Sequence, residues 1–147
     1  MTNSPITLRK DFAITIYGFS GAAVPGAWAQ TGIKLMNRMW EEVKSNQLPN
    51  KGLNVWIYDE DNKMFAGVEL TAPPPENSPL EQRTLVLTRY AYQKHLGSYD
   101  TLGKTVAAAH EEFKKLGIKA GRPYVEIYGH HTDDPAKLET ELFWSVY

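Results

Sequence analysis

The sequence predicts an α+β fold with an antiparallel sheet and two long helices, and three observations point to it. A β-α-β-β order of hydrophobic patterns runs through the first half and begins again in the second. A proline-rich segment separates the two. Val55-Trp56-Ile57-Tyr58 returns as Val125-Glu126-Ile127-Tyr128 at a constant offset of 70, with a polar hairpin loop following in both places. A match of residues and of element order together is the mark of an internal duplication.

The elements follow in order. Phe12 to Phe19 alternates aromatic and β-branched residues with smaller or polar ones, as a half-buried strand requires. A Gly/Pro/Ala stretch, Gly21 to Gly26, comes next. From Trp28 to about Asn46 the apolar residues Ile33, Met36, Trp40 and Val43 recur at helical steps, and Pro49, Asn50 and Gly52 end the run. Leu53 to Tyr58 and Met64 to Leu70 read as a hairpin around the polar Asp59 to Lys63.

Four prolines between Ala72 and Pro79 make an extended connector, because proline donates no backbone hydrogen bond. The order then repeats. Leu85 to His95 is a strand, and Ser98 or Asp100 caps a helix whose apolar face is Leu102, Val106, Ala109, Phe113 and Leu116. Gly117 stands where a left-handed helix terminus wants glycine. Tyr124 to Tyr128 and Leu138 to Val146 form the closing hairpin around His130 to Ala136. One helix and three strands cannot cover both faces of their own sheet, so the two repeats, residues 12–71 and 84–147 joined by connector 72–80, are expected to share a core as a single domain, 1–147, with a pseudo-twofold between them.

Composition narrows the function. With 16 basic and 17 acidic side chains the formal charge is -1, so no bulk positive field exists to hold nucleic acid or anionic lipid. The absence of cysteine removes disulfides, thiol catalysis and thiolate metal sites. No apolar run reaches signal-peptide or membrane-spanning length, and the expectation is a cytoplasmic protein without direct nucleic-acid or membrane contact.

The second half carries Gly97-Ser-Tyr99 before its helix, then Gly121-Arg-Pro123-Tyr-Val-Glu126-Ile-Tyr128, then Asp134-Pro135, then Thr140-Glu141-Leu142. This ordered set resembles the GyrI-like, AraC-type effector-binding family. The first half is similar to it more loosely, through Met39-Trp40, Asn54-Val-Trp-Ile-Tyr58 and Phe65-Ala-Gly67-Val-Glu69. The resemblance implies a duplicated, SHS2-like β-α-β-β architecture with a central pocket for a hydrophobic, aromatic or cationic small molecule, as in multidrug-binding and transcription-regulator-related members. It also implies two alternatives, a hydrolase of strained cyclopropane-containing toxins and a module that binds gyrase or a regulator. The length leaves no room for a helix-turn-helix, so a stand-alone member is expected, with no cofactor.

Alternation along strands sets the expected pocket. Val125 and Ile127, with Val55 and Ile57, are assigned to the face under the helices. Tyr124, Glu126 and Tyr128 take the other face with Asn54, Trp56 and Tyr58. Trp56 and Glu126 then become counterparts, an aromatic plane and an acid at equivalent positions. Rings with one carboxylate attract a flat cation through apolar burial, cation–π contact and an ion pair. The ligand-binding set is therefore Glu126, Trp56, Tyr99, Tyr124, Tyr128 and Tyr58. In the hydrolase alternative Glu126 is the acid/base acting on a bound water. Tyr17, Trp28, Tyr90, Tyr92 and Trp144 are assigned to structure.

Other patterns lose on spacing. Gly97 to Thr105 ends in Gly-Lys-Thr, but a phosphate loop needs glycine where Ser98 stands. Asp59, Asp61 and Lys63 place a cation at the third position of a calcium loop. His130, His131, Asp133 and Asp134 are metal-capable types on an extended segment whose adjacent histidines point apart, so no metal site is expected. Glu111, Glu112, Lys114 and Lys115 form a charged helix strip, available to a protein partner but ordinarily solvated.

Overall fold

The computed structural model describes residues 3–147. Among them run six strands and two α-helices, β1 (Thr7–Ala22), α1 (Trp28–Ser45), β2 (Asn54–Tyr58), β3 (Lys63–Val68), β4 (Glu81–Leu96), α2 (Leu102–Leu116), β5 (Ala120–Tyr128) and β6 (Glu139–Val146). The α+β class and the β-α-β-β order, twice over, are as the sequence predicts. β1 and β4 are each longer than their hydrophobic patterns. The chain divides into two compact units, Ala13–Val86 and a second made of Leu87–Tyr147 with the N-terminal residues through Phe12. The boundaries fall inside β1 and β4.

In the unit Ala13–Val86, β3 lies between β1 and β2, antiparallel to both, so that Ala66 faces Phe19 on one side and Trp56 on the other. Asp61 and Asn62 both take positive φ at the β2–β3 turn, with Lys63 N–H donating to Glu60 C=O. That is the primed turn whose twist matches a hairpin, and Asp and Asn are the residues that tolerate it. Helix α1 packs Met39 and Val43, one turn apart, on Phe19 and Val68, with Leu35, Met36 and Trp40 beside them. Ile33, expected on this face, is 47% exposed. Gly32 takes the inward position because the Trp56 ring occupies the space: a Cβ there would stand 2.3 Å from it.

In the second unit β6 lies between β4 and β5, pairing Glu126 with Leu142, Tyr124 with Trp144 and Tyr128 with Thr140 on one side, and Leu142 with Gln93 and Thr140 with His95 on the other. Helix α2 sets Ala109 and Phe113 on Ala91, Leu142 and Trp144. It ends at Gly117, φ +68, with Gly117 N–H donating to Lys114 C=O and Ile118 N–H to Phe113 C=O. This Schellman pattern brings Ile118 onto the cluster and leaves Leu116, assigned to the apolar face, exposed. Ser98, rather than Asp100, caps the preceding 3₁₀ turn Tyr99–Thr101, its hydroxyl accepting from Asp100 N–H at 3.1 Å.

The expected faces are reversed. Register partners share a side of the sheet, and Leu142 and Trp144 lie under α2. Tyr124, Glu126 and Tyr128 therefore project toward the helix, while Val125 and Ile127 project away from it. Trp56, against Gly32 of α1, is likewise on its helix side, and Val55 and Ile57 on the other. Alternation gives the period of a strand but not its phase, and here both faces are buried: Val55, Ile57, Val125 and Ile127 are all core residues.

Candidate functional site

Glu126 sits at the middle of the last stretch of β5 and is only 5% exposed. Its neighbours two residues away project on the same side, and both reach it. Tyr124 O–H donates to Oε2 at 2.7 Å and Tyr128 O–H to Oε1 at 2.5 Å. The strand begins with an irregularity that sets this stretch in place: the β5–β6 register shifts between Gly121 and Tyr124, and the Ser145 hydroxyl donates to Pro123 C=O at 2.7 Å across it.

The two phenols are held from behind. Tyr124 stacks on Trp144, ring centroids 5.3 Å apart and planes at 29°, and Trp144 meets Phe113 edge-on. Tyr128 meets Tyr99 edge-on at 5.5 Å and 81°. Tyr99 is 47% exposed, and what burial it has raises the pKa of its phenol. The structure thus brings together four of the expected residues, Glu126, Tyr124, Tyr128 and Tyr99, in one unit. The carboxylate is hydrogen-bonded and has aromatic rings beside it.

Trp56 and Tyr58 belong to the other unit, where they meet each other and Trp28. Tyr58 lies 5.3 Å from Trp28 and 6.5 Å from Trp56, both pairs tilted by 49°. Trp56 is buried and Tyr58 half-buried.

Sequence reasoning missed a second acid–phenol pair in the unit of Glu126. Tyr92, read as structural, donates its O–H to Glu141 Oε2 at 2.6 Å, and the Arg9 guanidinium lies 3.8 Å over its ring. Desolvation, helped by Glu141, pushes the Tyr92 phenol well above the usual tyrosine range. The pairing of Gly-Lys-Thr with a cleft was also unforeseen. Asn3, His95, Gly97, Ser98, Lys104 and Thr105 line an open cleft of about 480 Å³, without the phosphate-loop spacing.

Among the described residues no group of three or more His, Asp or Glu side chains is placed to hold a metal, and His131 meets Asp133 at 3.5 Å on the surface. The α2 strip carries an exposed Lys114–Glu111 pair at 3.3 Å. No helix among the described residues is long and apolar enough to cross a membrane.

Comparison with known proteins gives a consistent result. The family model for the GyrI-like small molecule binding domain matches residues 23–146, across both units. No curated protein matches the chain. Among solved structures, the EcmrR C-terminal domain is similar at 16% identity and TM-score 0.72, covering 100% of this chain and 99% of its own. SAV2435 bound to tetraphenylphosphonium is similar at 16% identity and TM-score 0.61, with 97% and 94% covered. A hydrolase from Listeria innocua is similar at 13% identity and TM-score 0.60, with 100% and 94% covered. At such identities the likeness is one of fold.

Proposed function

The chain belongs to the GyrI-like small molecule binding domain family, and from that premise we propose that it senses or sequesters a hydrophobic aromatic cation, with Glu126 as the charge that selects it. The observation that carries this reading is the buried carboxylate whose two oxygens accept from Tyr124 and Tyr128. Phenols meet hydrogen-bonding needs of a buried carboxylate without adding positive charge themselves, so they hold it in place as the acid of the proposed site. The rings add cation–π attraction, about 0.5 to 2 kcal/mol according to how dry the contact is.

Tyr99 stands at the exposed edge of this group and serves as a wall. Trp56 and Tyr58 are proposed as ring surfaces for the same class of ligand in their own unit. The repeated β-α-β-β order and the equivalent strand pairing, β1-β3-β2 and β4-β6-β5, support descent of the two halves from one unit. The similarity to SAV2435, which is bound to tetraphenylphosphonium, supports the ligand class. Both oxygens of Glu126 being engaged by phenols favours binding over water activation, since an attacking water has to share them.

The test is a fluorescence titration of the protein and its Glu126→Gln variant with tetraphenylphosphonium and with neutral aromatics of similar size. Loss of the carboxylate's charge weakens the cation about tenfold or more and the neutral rings little, tenfold being about 1.4 kcal/mol. Equal losses for both classes count against the role given to Glu126.

A further inference from the structure

The residues lining the open cleft of about 480 Å³ all belong to the unit of Leu87–Tyr147 and the N-terminal residues, and its volume is that of a small-molecule pocket. Lys104 is the only lysine or arginine of the lining, and no aspartate or glutamate lines it. Lys104 is exposed and makes no ion pair among the described residues. Asp134, next to the lining residue Pro135, is engaged in its own turn, where its Oδ1 accepts from Ala136 N–H at 3.0 Å. The cleft therefore presents one sign of charge.

Its hydrogen-bonding groups are sorted in the same sense. The acceptors are met from within: Ser98 C=O takes both His95 Nε2 and the Thr101 hydroxyl at 3.0 Å, and Asn3 Oδ1 takes Leu96 N–H at 2.8 Å. Thr105 Oγ1 accepts from Asn3 Nδ2 at 3.0 Å and meets His95 Nδ1 at 2.7 Å. What remains is donors. The Ser98 hydroxyl accepts from Asp100 N–H and gives its own hydrogen to no acceptor among the described residues. The Asn3 amide spends one of its two hydrogens on Thr105, and the Lys104 ammonium has three. His95 is 2% exposed, so the wall that these bonds tie together is anchored in the core rather than on a loose loop.

We propose that this cleft is a second binding site, for a small organic monoanion, in which Lys104 and the Ser98 hydroxyl hold a carboxylate group. One ammonium balances one negative charge. A phosphate group carries close to two and is matched by an arginine fork or several cations, which the lining lacks. Leu96, Pro135 and Ala136 supply apolar wall, so the carboxylate is expected to carry a short aromatic or aliphatic body rather than to be a bare ion. The inference stands apart from the role given to Glu126, whose charge selects ligands of the opposite sign.

The experiment is an amide nitrogen-15 NMR titration of the wild-type chain, Lys104→Gln and Lys104→Arg with benzoate, its neutral isostere benzamide and inorganic phosphate. Benzoate is expected to shift the amides of Gly97, Ser98, Lys104 and Ala136 in the wild type, and to bind more tightly than either benzamide or phosphate. Lys104→Gln is expected to lose about five- to tenfold in benzoate affinity with an unchanged thermal midpoint, since the side chain is exposed. Lys104→Arg, which keeps the charge, retains most of the affinity. Benzoate shifts that fall outside the cleft or do not occur, benzamide binding as tightly as benzoate, or a Lys104→Gln affinity equal to that of the wild type each overturn the proposal. Phosphate binding more tightly than benzoate overturns the ligand class and the proposal with it. Should Lys104→Gln lower the thermal midpoint, the contrast between benzoate and benzamide in the wild type and in Lys104→Arg decides.

Discussion

Tyr128 and Glu126, two residues apart on one face of β5, are joined by a hydrogen bond of 2.5 Å, and Tyr124 holds the opposite oxygen of the same carboxylate at 2.7 Å. Alternate residues of a strand stand roughly 6.6 Å apart, so two long phenols leaning inward converge on a glutamate between them. The Tyr-x-Glu-x-Tyr spacing brings both phenols to the carboxylate.

Removing either phenol oxygen should be felt in stability. Tyr124→Phe and Tyr128→Phe each keep the ring and delete one donor to a buried carboxylate, at a cost of about 1 to 3 kcal/mol in urea denaturation. In a Glu126→Gln background each cost should shrink, because the bonds no longer serve a charge. A double-mutant cycle with no coupling between Tyr128 and Glu126 rejects the clamp.

Gly32 offers a test of the aromatic group in the other unit. Alanine is the better helix former by about 1 kcal/mol, so an open site would be stabilised by Gly32→Ala. Here the added methyl falls 2.3 Å from the buried Trp56 ring. The ring has to shift, and the expected net effect is a destabilisation of about 1 to 3 kcal/mol with a changed near-ultraviolet circular dichroism signal. A more stable variant with an unchanged spectrum shows that Trp56 is not packed on this helix.

Tyr92 should make stability fall at alkaline pH. Its phenol is raised above its unfolded value, first by desolvation and then by the hydrogen bond to Glu141. A raised pKa in the folded state means the contribution is complete below the unfolded tyrosine value of about 10 and is lost as pH climbs beyond it. Urea midpoints measured between pH 9 and 11.5 should decline less steeply in Tyr92→Phe than in the wild type. Parallel declines leave Tyr92 without a role in the alkaline loss.

How far the sequence could be read depends on what each signal encodes. Element order and the glycine at 117 were legible because periodicity and a left-handed terminus are local properties. The phase of β5 was not, since Val125 and Tyr124 both find buried surroundings and hydrophobicity alone does not rank the two sides. Ile33 was misplaced for a related reason: the apolar stripe of α1 could not reveal that a tryptophan from β2 would claim the space at Gly32. Glu126 and its phenols stood out because Gly121-Arg-Pro123-Tyr-Val-Glu126-Ile-Tyr128 resembles the family's strand, a motif that spacing alone would not have singled out.

His95 permits the last prediction, because its two ring nitrogens meet groups that fix the proton's place. Nε2 lies 3.0 Å from Ser98 C=O, which can only accept, so Nε2 carries the hydrogen of the neutral ring. Nδ1, 2.7 Å from the Thr105 hydroxyl, is then the acceptor, and Thr105 in turn accepts from the Asn3 side-chain amide at 3.0 Å. Asn3 also accepts from Leu96 N–H at 2.8 Å, closing the chain onto β4. Thr105→Val removes the one group that both accepts from Asn3 and donates to His95, leaving a buried ring nitrogen without its donor. It should cost about 1 to 3 kcal/mol and speed hydrogen exchange at Leu96, whereas Thr105→Ser should do neither to the same degree. Nitrogen-15 spectra of the His95 ring should report the Nε2–H form in the wild type. An Nδ1–H ring, or a valine variant as stable as the serine one, contradicts the assigned direction of the chain.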